Sequence, residues 1–586
     1  MTMTFRQMSS LLGIEIDGLP LPADVESLLV RSTVSDHITQ PDSFVLEFRD
    51  PSHDVLGRIG ATVGKPVKLT CITGDDAGGA QLMVGEITAV ETEFDATGSR
   101  TFVRGYDKSH RLMRGRGTEA WTNLTTSDAV NKIANDAGIG TTAVEGTDIV
   151  YEQLAKPNVS DWEELTALAR ESGNLVAVRD GSLRFGPPTE ADTGPDVGDA
   201  TSQDPLQLTP ATNLLRFRAV VSSAEQVSEA RVRSWDYRNK QSVEGTAPAT
   251  ASLARIGSDP VTLAGSFGSP TITAVTVPYG SQAEVDSAAK ALAERVGSRF
   301  VTLDGTAVGS HKLRAGTAVS LGLAGSPFEG KYVLTTTCHR FDSDEGYTTS
   351  FTVGSGSEDS LVGLTGGGGR GGGPDTGRFD GVVPAIVTDV RDPDDIGRVK
   401  VKFPWLADQY ESDWARMTQP GAGPNRGMVF LPEVNDEVLV AFEHGDFRRP
   451  YVVGALYNGQ DKPNLGDDLV DGSSGAVKRR GYISPKGSAL VFLDEDTKEG
   501  IALLASDGSV RISLSTTDTT IKITSTGEIQ IKGDGDVTVK AGGSLSLAAQ
   551  TSVSIEAGTS LELKGATVKI HSDGPLTAEG TPIQLN

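Results

Sequence analysis

The sequence predicts a mainly β protein with an α+β amino-terminal region and a repetitive carboxyl-terminal region. Glycine supplies 69 of the 586 residues, about 12% against a usual value near 7%, and aromatic residues supply only 6%. Short apolar runs that alternate with polar residues recur along the chain, with turn residues between them. Near the carboxyl end, pairs of apolar residues return every eight residues. These observations favour many short strands over a compact helical fold.

The charge balance and the rarity of cysteine exclude several classes of protein. The formal net charge is −25 at pH 7, so the chain has no general attraction for nucleic acid or for an anionic membrane surface. Cys71 and Cys338 lie outside any C-x-x-C pattern, which excludes a disulfide scaffold and a cysteine zinc site. The sequence contains neither a long apolar run nor a signal-peptide pattern. We therefore expect synthesis in the cytoplasm without a signal peptide, and no cofactor.

Residues 1–365 mix strands with a few helices and are long enough for two or more subdomains. Residues 43–49 alternate apolar and polar side chains over most of their length, as a half-buried strand does. Capping-box sequences predict helices that start after Ser160 and Ser281, and Gly297 is a C-terminal stop for the second helix. A local basic run could meet an acidic partner, although a solvated face with ion pairs inside the chain is favoured: Arg104, Lys108, Arg111, Arg114 and Arg116.

A glycine-rich linker separates this region from a block of short strands. The predicted linker spans residues 366–377, because GGGGRGGG lacks the strand, the helix and the Lys-Ser/Thr pair of a phosphate-binding loop. Residues 378–460 contain five or six short apolar runs divided by Pro, Gly and Asp or Asn turns, among them GMVFLP at 427–432. This density predicts a small five-stranded barrel. Residues 461–509 are expected to form connecting strands that lead to the repeats.

Residues 510–586 carry the most regular signal. Two apolar residues separated by one residue recur at intervals of eight, and the last pair follows after seven. A unit this short supplies one strand and a turn, so it cannot bury a core or close its edges alone. Two arrangements remain open, an antiparallel meander and a parallel tube to which several chains each contribute one strand per repeat. The unvarying period favours the tube, whose core would contain Ile521, Ile523, Ile529, Ile531, Val537, Val539, Leu545, Leu547, Val553, Ile555, Leu561, Leu563, Val568 and Ile570.

Several motifs in the barrel region resemble those of VgrG proteins and related phage-baseplate spike proteins. Residues 392–401 read DPDDIGRVKV, and FPW follows at 403–405. Residues 432–446 continue with PEVNDEVLV and FEHGD, and GALYN ends the series at 454–458. The resemblance implies an OB-fold barrel at the neck of a trimeric spike. The residues that carry it are Gly397, Arg398, Trp405, Pro432, Glu437, Gly445, Gly454 and Asn458.

The resemblance extends to both sides of the barrel. VRGYDKSHRL at 103–112 and other segments of residues 1–365 resemble the hub module of the family, which is similar to the phage late control D protein and contains two tail-tube-like subdomains. The repeats of residues 510–586 match the needle of the family, an intertwined β-helix of three chains. The resemblance therefore implies a homotrimer whose partners are the inner tube protein, baseplate proteins and a PAAR-type tip protein or effector. It implies contact with a membrane only by puncture.

The function that the resemblance implies is a non-enzymatic central spike of a contractile injection system. Such a spike caps the inner tube, seats the baseplate and pierces a target envelope, and the assembled particle is cytoplasmic or extracellular. Two other classes stay open, an envelope-degrading peptidoglycan hydrolase and a receptor-binding tail fibre. The roughly 50 residues between the barrel and the repeats are too few for a typical inserted domain. The sequence does not distinguish a phage tail from a type VI secretion system or another phage-tail-like particle.

No residue pattern predicts a catalytic site or a metal site. The carboxylates of residues 433–437 could serve acid–base chemistry, but they stand at the start of a strand, where turn formation explains them. Those of residues 392–395 lack the spacing and the terminal Glu of a calcium loop. The histidines show no H-x-x-H or H-E-x-x-H pattern, and no G-x-S-x-G sequence occurs. We therefore predict no catalytic residues and no metal ligands.

Overall fold

The computed structural model describes residues 10–584 except 74–75, 148, 276, 355–378, 380, 408, 467 and 496. The chain divides into two compact units, Met1–Asp461 and Lys462–Asn586. Strands account for 41% of the chain and helices for 12%, which confirms the predicted mainly β class. The predicted linker at 366–377 lies outside the described residues.

The elements of residues 11–353 alternate strands with short helices. In chain order they are β1 (Leu11–Ile16), β2 (Leu19–Pro20), α1 (Ala23–Glu26), β3 (Leu29–His37), β4 (Ser43–Arg49), α2 (Val55–Ile59), β5 (Pro66–Thr73), β6 (Asp76–Asp95), β7 (Gly98–Tyr106), β8 (Gly117–Thr125), α3 (Thr126–Asp136), β9 (Gly140–Val144), β10 (Val150–Val159), α4 (Asp161–Ser172), β11 (Leu175–Arg179), β12 (Ser182–Gly186), β13 (Gln207–Leu208), β14 (Leu214–Val221), β15 (Glu229–Asp236), β16 (Gln241–Pro248), β17 (Ala254–Ile256), α5 (Pro260–Gly265), β18 (Thr271–Ala274), α6 (Gln282–Gly297), β19 (Val301–Val308), β20 (Ala318–Leu321), β21 (Gly330–Val333), β22 (Thr336–Asp342) and β23 (Gly346–Val353).

An eleven-stranded sheet dominates this region. Its order is β14-β19-β23-β22-β3-β4-β7-β6-β5-β1-β2, and the pairing of β3 with β22 joins the early strands to the late ones. The sequence alternation of β4 is confirmed, because Phe44, Leu46 and Phe48 are buried in the core of the sheet. Smaller sheets complete the region, with the orders β10-β8, β11-β12-β9, β13-β20-β21-β17 and β16-β15-β18.

The two predicted helix starts are confirmed. The Ser160 hydroxyl accepts a hydrogen bond from the backbone N–H of Glu163, and the Glu163 carboxylate accepts one from the backbone N–H of Ser160, so α4 begins with a full capping box. The Ser281 hydroxyl accepts from the N–H of Glu284 at the start of α6. The last residue of α6 is Gly297, as predicted. Both helices bury one apolar face against the sheets, as their sequence stripes require.

The basic run near residue 110 forms ion pairs inside the chain. Arg104 pairs with Glu91 at 3.0 Å, and Arg116 pairs with Glu163 at 3.1 Å. Arg111 pairs with Glu86. For these three arginines, the interpretation as a solvated face with internal pairing is therefore confirmed.

Residues 382–455 form the predicted small barrel. Its elements are β24 (Val382–Asp389), β25 (Lys400–Lys402), β26 (Arg416–Met417), β27 (Ala422–Gly423), β28 (Arg426–Gly427), β29 (Glu437–Phe442) and β30 (Pro450–Ala455). Five strands pair in the order β25-β24-β29-β30-β26, and a bridge between Val399 and Ala415 joins the first strand to the last. A closed barrel of five strands in this order is an OB fold, as the resemblance implied. Its interior is filled by residues such as Val401, Phe403 and Val440.

The strand predicted at 427–432 is wrong. Only Gly427 belongs to a strand, because the short hairpin of β27 and β28 ends there. The N–H of Met428 still donates to the carbonyl oxygen of Gly421 at 3.3 Å, but beyond it the segment runs as a loop. Pro432 has no backbone N–H with which to continue a ladder.

The second unit contains one antiparallel sheet. The strands β31 (Arg479–Ile483), β32 (Ala489–Glu495), β33 (Lys498–Leu504), β34 (Val510–Ser515) and β35 (Thr520–Ser525) pair in chain order as a meander. Beyond Ser525, the described residues contain no strand ladder within the chain. In the parts of the chain that the structure describes, no helix has both the length and the apolar character needed to cross a membrane.

Candidate functional site: the barrel joints and the apolar rows

Arg398 is a buried guanidinium in the loop that leads into β25. Its side chain is 3% exposed, and its Nε and Nη2 atoms donate to Asp392 Oδ1 at 3.0 and 2.6 Å. Nη2 also donates to Asp394 Oδ2 at 2.7 Å. Nη1 donates to the hydroxyl of Tyr237, which lies between β15 and β16, at 3.1 Å. One side chain therefore fixes the loop of the barrel and ties the barrel to the amino-terminal region.

The Asp392 carboxylate organises the same loop in its charged form. Its Oδ2 accepts from the backbone N–H groups of Ile396 and Arg398 at 3.1 and 3.0 Å. Burial opposes the charge, but the hydrogen bonds from Arg398 and from the loop outweigh it and hold the pKa of Asp392 at about 2, below its ordinary 3.8. Gly397 has φ of +76°, in the left-handed region that favours glycine. The carboxylates of Asp392 and Asp394 thus lie in a turn that binds an arginine.

The other residues of the family resemblance hold turns and strand ends of the barrel. The indole N–H of Trp405 donates to the carbonyl oxygen of Pro384 at 2.9 Å, while the side chain stays 49% exposed. The amide of Asn458 donates to Glu437 Oε2 at 3.0 Å, which ties the exit of the barrel to the start of β29. Of the other three, Pro432 lies in a loop, Gly445 ends the 3₁₀ turn Glu443–Gly445, and Gly454 lies on β30.

A second joint between the barrel and the amino-terminal region was not predicted from the sequence. Arg448, in the loop before β30, donates to both oxygens of Glu171 on α4, at 3.0 and 3.3 Å, and also to Asp446. Glu164 is also on α4 and is 7% exposed, and the charges of Arg448, Glu171 and Asp446 act on it. Burial raises the pKa of Glu164 to about 8, and Arg448 opposes that rise. Ala155 of β10 packs into the core of the barrel, so this joint has an apolar component as well.

One face of the meander in the second unit carries two rows of apolar side chains. Cross-strand partners follow one another along each row, and the two rows lie on the same face because their members are two residues apart on each strand. We call this set the meander face: Phe492, Ile501, Leu514 and Ile521 in one row, and Tyr482, Leu490, Leu503, Ile512 and Ile523 in the other. Eight of the nine are at least 36% exposed, whereas Val491 and Ala502 on the opposite face are buried. The first predicted repeat pair, Ile521 and Ile523, thus lies on β35 of an antiparallel meander.

The remaining repeat pairs lie beyond β35. We call them the octad residues: Ile529, Ile531, Val537, Val539, Leu545, Leu547, Val553, Ile555, Leu561, Leu563, Val568 and Ile570. All twelve side chains are 52–81% exposed. Among the described residues from 527 to 584, the chain makes no backbone-to-backbone hydrogen bond with itself. In the described residues the chain therefore leaves this regular apolar surface uncovered. The segment's backbone groups find only a few side-chain partners, such as the Ser572 hydroxyl, which accepts from the N–H of Gly574 at 3.2 Å. The role of the octad residues as a trimer core stays a prediction.

The barrel matches a known family model. Residues 383–457 match the model described as the type VI secretion system/phage-baseplate injector OB domain. The chain is a relative of the VgrG and phage-baseplate spike proteins. The resemblance inferred from the motifs is thus confirmed, and the match contains seven of the eight motif residues, all except Asn458. A second model, the Alg8 N-terminal domain, matches residues 67–343.

Curated VgrG proteins align with a limited part of the chain. The type VI secretion system spike protein VgrG2a of Pseudomonas aeruginosa is 29% identical over 127 residues, which is 21% of this chain and 15% of that protein. The actin cross-linking toxin VgrG1 of Vibrio cholerae is 32% identical over 117 residues, which is 19% of this chain and 10% of that protein. The matched segments therefore span 15% or less of the length of these two relatives.

Among solved structures, the Francisella PdpA-VgrG complex in its lidded form has a chain with a similar fold. The similarity covers 89% of this chain and 81% of that chain, with a TM-score of 0.53 and 9% sequence identity. At this identity the comparison concerns the fold alone. The similarity in fold therefore covers more of the chain than the barrel alone.

The carboxylates weighed as catalytic candidates have structural roles in this VgrG-like barrel. Asp436 Oδ2 accepts from the backbone N–H of Glu433 at 2.8 Å, which closes the turn before β29. Glu437 binds Asn458, and Asp392 binds Arg398. In the described part of the chain, no group of three His, Cys, Asp or Glu side chains is arranged to hold a metal ion. The absence of catalytic residues, metal ligands and cofactors remains a prediction.

Proposed function

We propose that this chain is the non-enzymatic central spike of a contractile injection system and that it acts as a homotrimer. In this proposal three copies wind their octad residues into one needle, a β-helix of three chains. The region of residues 1–365 caps the inner tube and seats the baseplate. Sheath contraction then drives the needle through a target envelope, with a PAAR-type tip protein or an effector at its end.

The octad residues carry the proposal. Burying one large aliphatic side chain is worth about 1.5–3 kcal/mol, and this chain leaves twelve of them more than half exposed. The segment that bears them makes no strand ladder with itself in the described residues, although its composition is that of short strands. A second and a third copy supply both missing features, because they present the same residues with the same eight-residue period. An unrelated partner would need that period by coincidence.

The meander face supports the same arrangement. Ile521 and Ile523 end its two rows and also begin the eight-residue series, so this one pair belongs both to the meander face and to the series that the octad residues continue. An exposed apolar sheet face of this extent is unfavourable in a single soluble chain. Three copies that share an axis would cover the meander faces and the octad residues in one assembly step.

The structural role proposed for the barrel follows from its two joints. Arg398 and Arg448 are bound to groups on both the barrel and the amino-terminal region, so the barrel is fixed to that region by charged hydrogen bonds rather than by a hinge. A rigid attachment suits a part that transmits force along a spike. One relative is named as an actin cross-linking toxin, but the matched segment covers only 10% of it, so that activity is not carried to this chain. Turnover of peptidoglycan by the purified protein would contradict the non-enzymatic proposal.

Partners and location are also part of the proposal. The comparison with VgrG and phage-baseplate proteins supports tube and baseplate proteins as partners. We propose that the chain is made in the cytoplasm without a signal peptide, becomes part of an assembled particle that is cytoplasmic or extracellular, and is translocated when the particle contracts. Co-purification with sheath, tube and baseplate proteins from the native host tests this, and recovery of the chain outside every such particle would contradict it.

A matched pair of substitutions tests the trimer. Ile531 is 81% exposed in the single chain, so Ile531→Asp changes a side chain that lies mostly in solvent in one copy. In a trimeric needle the same substitution buries a charge, and we expect loss of the trimer. Gln530→Asp adds the same charge one residue away, on the side that the period places outward, and should leave the trimer intact. Light scattering should give three times 61.4 kDa for wild type and for Gln530→Asp. An unchanged trimer in Ile531→Asp would contradict the proposal.

A further inference from the structure

The exit of the barrel contains the only Asn-Gly sequence of the chain, Asn458–Gly459. Asparagine before glycine is the pair in which a backbone nitrogen most readily attacks a side-chain amide, because glycine has no Cβ to hinder the approach. Asn458 is half-buried and Gly459 is exposed, so water reaches the pair. The first compact unit ends three residues later, at Asp461. A reaction at this pair would therefore change the chain where it leaves the barrel.

The hydrogen bonds of the Asn458 side chain fix the orientation of its amide. Asn458 Oδ1 accepts from the backbone N–H groups of Gln460 and Asp461 at 2.8 and 2.7 Å. Asn458 Nδ2 donates to Glu437 Oε2 at 3.0 Å and to Asp461 Oδ2 at 3.2 Å. The N–H groups can face only the amide oxygen and the carboxylates only the amide nitrogen, so the two ends are not interchangeable. The side chain is thus folded back along the following residues, as in an Asx turn.

These contacts prepare the side-chain carbonyl of Asn458 for attack. Two backbone N–H groups aimed at one oxygen stabilise the negative charge that develops there when the carbonyl carbon is attacked, as an oxyanion hole does. The attacking group is also available. In the part of the chain that the structure describes, the N–H of Gly459 makes no hydrogen bond. The space beside Gly459 is open, because an added Cβ would meet nothing within 4 Å.

The neighbouring carboxylates provide a route for the proton. Attack by the Gly459 nitrogen releases one proton, and Asn458 Nδ2 must gain one to leave as ammonia. Glu437 Oε2 already lies within hydrogen-bond distance of Nδ2, so this carboxylate can accept the first proton and deliver it to the leaving nitrogen. Asp461 lies against the same nitrogen. The turn therefore holds an attacking nitrogen, a polarised carbonyl and a proton carrier side by side.

We propose that Asn458 is a self-modification site and that the folded barrel accelerates the reaction. A bond forms between the Gly459 nitrogen and Cγ of Asn458, and the bond between Cγ and Nδ2 breaks, with release of ammonia. Water then opens the resulting succinimide at either carbonyl and gives aspartate or isoaspartate. The reaction needs no oxidant, reductant or cofactor. Each chain reacts once and without a second copy, so the test is separate from that of the trimer.

The product would loosen the exit of the barrel. The aspartate formed from Asn458 has no N–H to donate to Glu437, and its charge would lie beside the carboxylates of Glu437 and Asp461. Like charges at this separation repel one another. Isoaspartate would also add one carbon atom to the main chain at the same point. The turn that ties the barrel exit to β29 would then open irreversibly, ahead of the segment that carries the meander face and the octad residues.

Peptide-mapping mass spectrometry tests the proposal in the full chain. Conversion of Asn458 is followed over time in the folded chain and in the same chain unfolded in guanidinium chloride. One positioned acid–base group contributes about 10²–10⁴-fold to a rate, so we expect conversion at least about tenfold faster in the folded chain. Glu437→Gln should remove most of this acceleration and leave the rate in the unfolded chain unchanged. Glu433→Gln is the matched control, because Glu433 is exposed in the loop before β29 and does not bind the Asn458 amide.

The comparison of the two states separates the possible results. Acceleration in wild type that is lost in Glu437→Gln and kept in Glu433→Gln supports the proposal. A folded chain that converts no faster than the unfolded chain contradicts it, because the hydrogen bonds of Asn458 would then protect the amide. Acceleration that survives Glu437→Gln also contradicts it, since that carboxylate would not carry the proton. If Glu437→Gln does not fold, Gly459→Ala, whose Cβ has open space, should fold and abolish the acceleration, and acceleration that persists in Gly459→Ala would contradict the proposal.

Discussion

Replacing Arg398 should destabilise the barrel more than any exposed charge does. The Arg398 side chain is 3% exposed and makes four hydrogen bonds, two to Asp392, one to Asp394 and one to Tyr237. Arg398→Ala removes all four and leaves the buried carboxylate of Asp392 without its counter-charge. Breaking a buried ion pair by removal of one partner costs about 3–5 kcal/mol, a large share of the stability of one domain. Arg398→Lys keeps the charge but loses the planar fork, so we expect an intermediate loss.

The assay is equilibrium unfolding in urea, followed by tryptophan fluorescence. The ring of Trp414 lies 5.9 Å from the Arg398 guanidinium carbon, so its emission reports on this loop. Arg391→Ala is the matched control, because Arg391 pairs with Asp389 in the same loop but is 87% exposed, and its curve should overlay that of wild type. A loss below about 1 kcal/mol for Arg398→Ala would refute the reasoning, because it would mean that Asp392 is solvated rather than buried.

Three further predictions concern pH and chain length. Burial raises the pKa of Glu164 from 4.5 to about 8. The proton on the Glu164 carboxyl therefore stabilises the folded state fully below pH 4.5. This stabilisation is lost as the pH rises to about 8, by at most about 1.4 kcal/mol per pH unit. Glu164→Gln should flatten that slope in thermal melts, and an unchanged slope would exclude Glu164 as its source. Burial, with Arg314 nearby, lowers the pKa of His339 from 6.5 to about 4, so its contribution is present above pH 6.5 and is lost as pH falls to about 4. His339→Gln should reduce this acid sensitivity, and an unchanged acid limb in the thermal melts would exclude His339 as its source. Deleting residues 527–586 removes the octad residues, and sedimentation velocity should then show an assembly that dissociates on dilution; a truncated trimer as persistent as the full chain would mean that other contacts hold the copies together.

The parts of the fold that sequence reasoning predicted are those with local patterns. The alternation of residues 43–49 specifies a half-buried strand. The capping box at Ser160 and the serine N-cap at Ser281 specify helix starts within four residues, although the Glu284 carboxylate accepts from the N–H of Gly280 and so leaves the second box open. The eight-residue period of the octads needs no structure to be seen. Arg398 was marked by its motif, but its bond to Tyr237 was not, because the two residues are 161 positions apart. Local patterns contain no information about such a partner.

The features that the sequence did not predict correctly have a physical cause in common. Arg448 and Glu171 are separated by 277 residues, and neither belongs to a motif, so their pairing depends on how the barrel packs against α4. The segment at 428–432 has strand composition, but among the described residues it pairs with no strand, so it remains a loop. Strand propensity describes how well a side chain suits a sheet surface and does not supply the sheet. The same reasoning explains why the repeats alone left a meander and a tube both open.

The central claim is that the carboxyl-terminal repeats are completed by other copies of the same chain. Native mass spectrometry of the intact protein, repeated over a hundredfold dilution, tests it most directly. The account predicts a persistent species of three times 61.4 kDa. A single species of 61.4 kDa that stays soluble and folded at every concentration would contradict it.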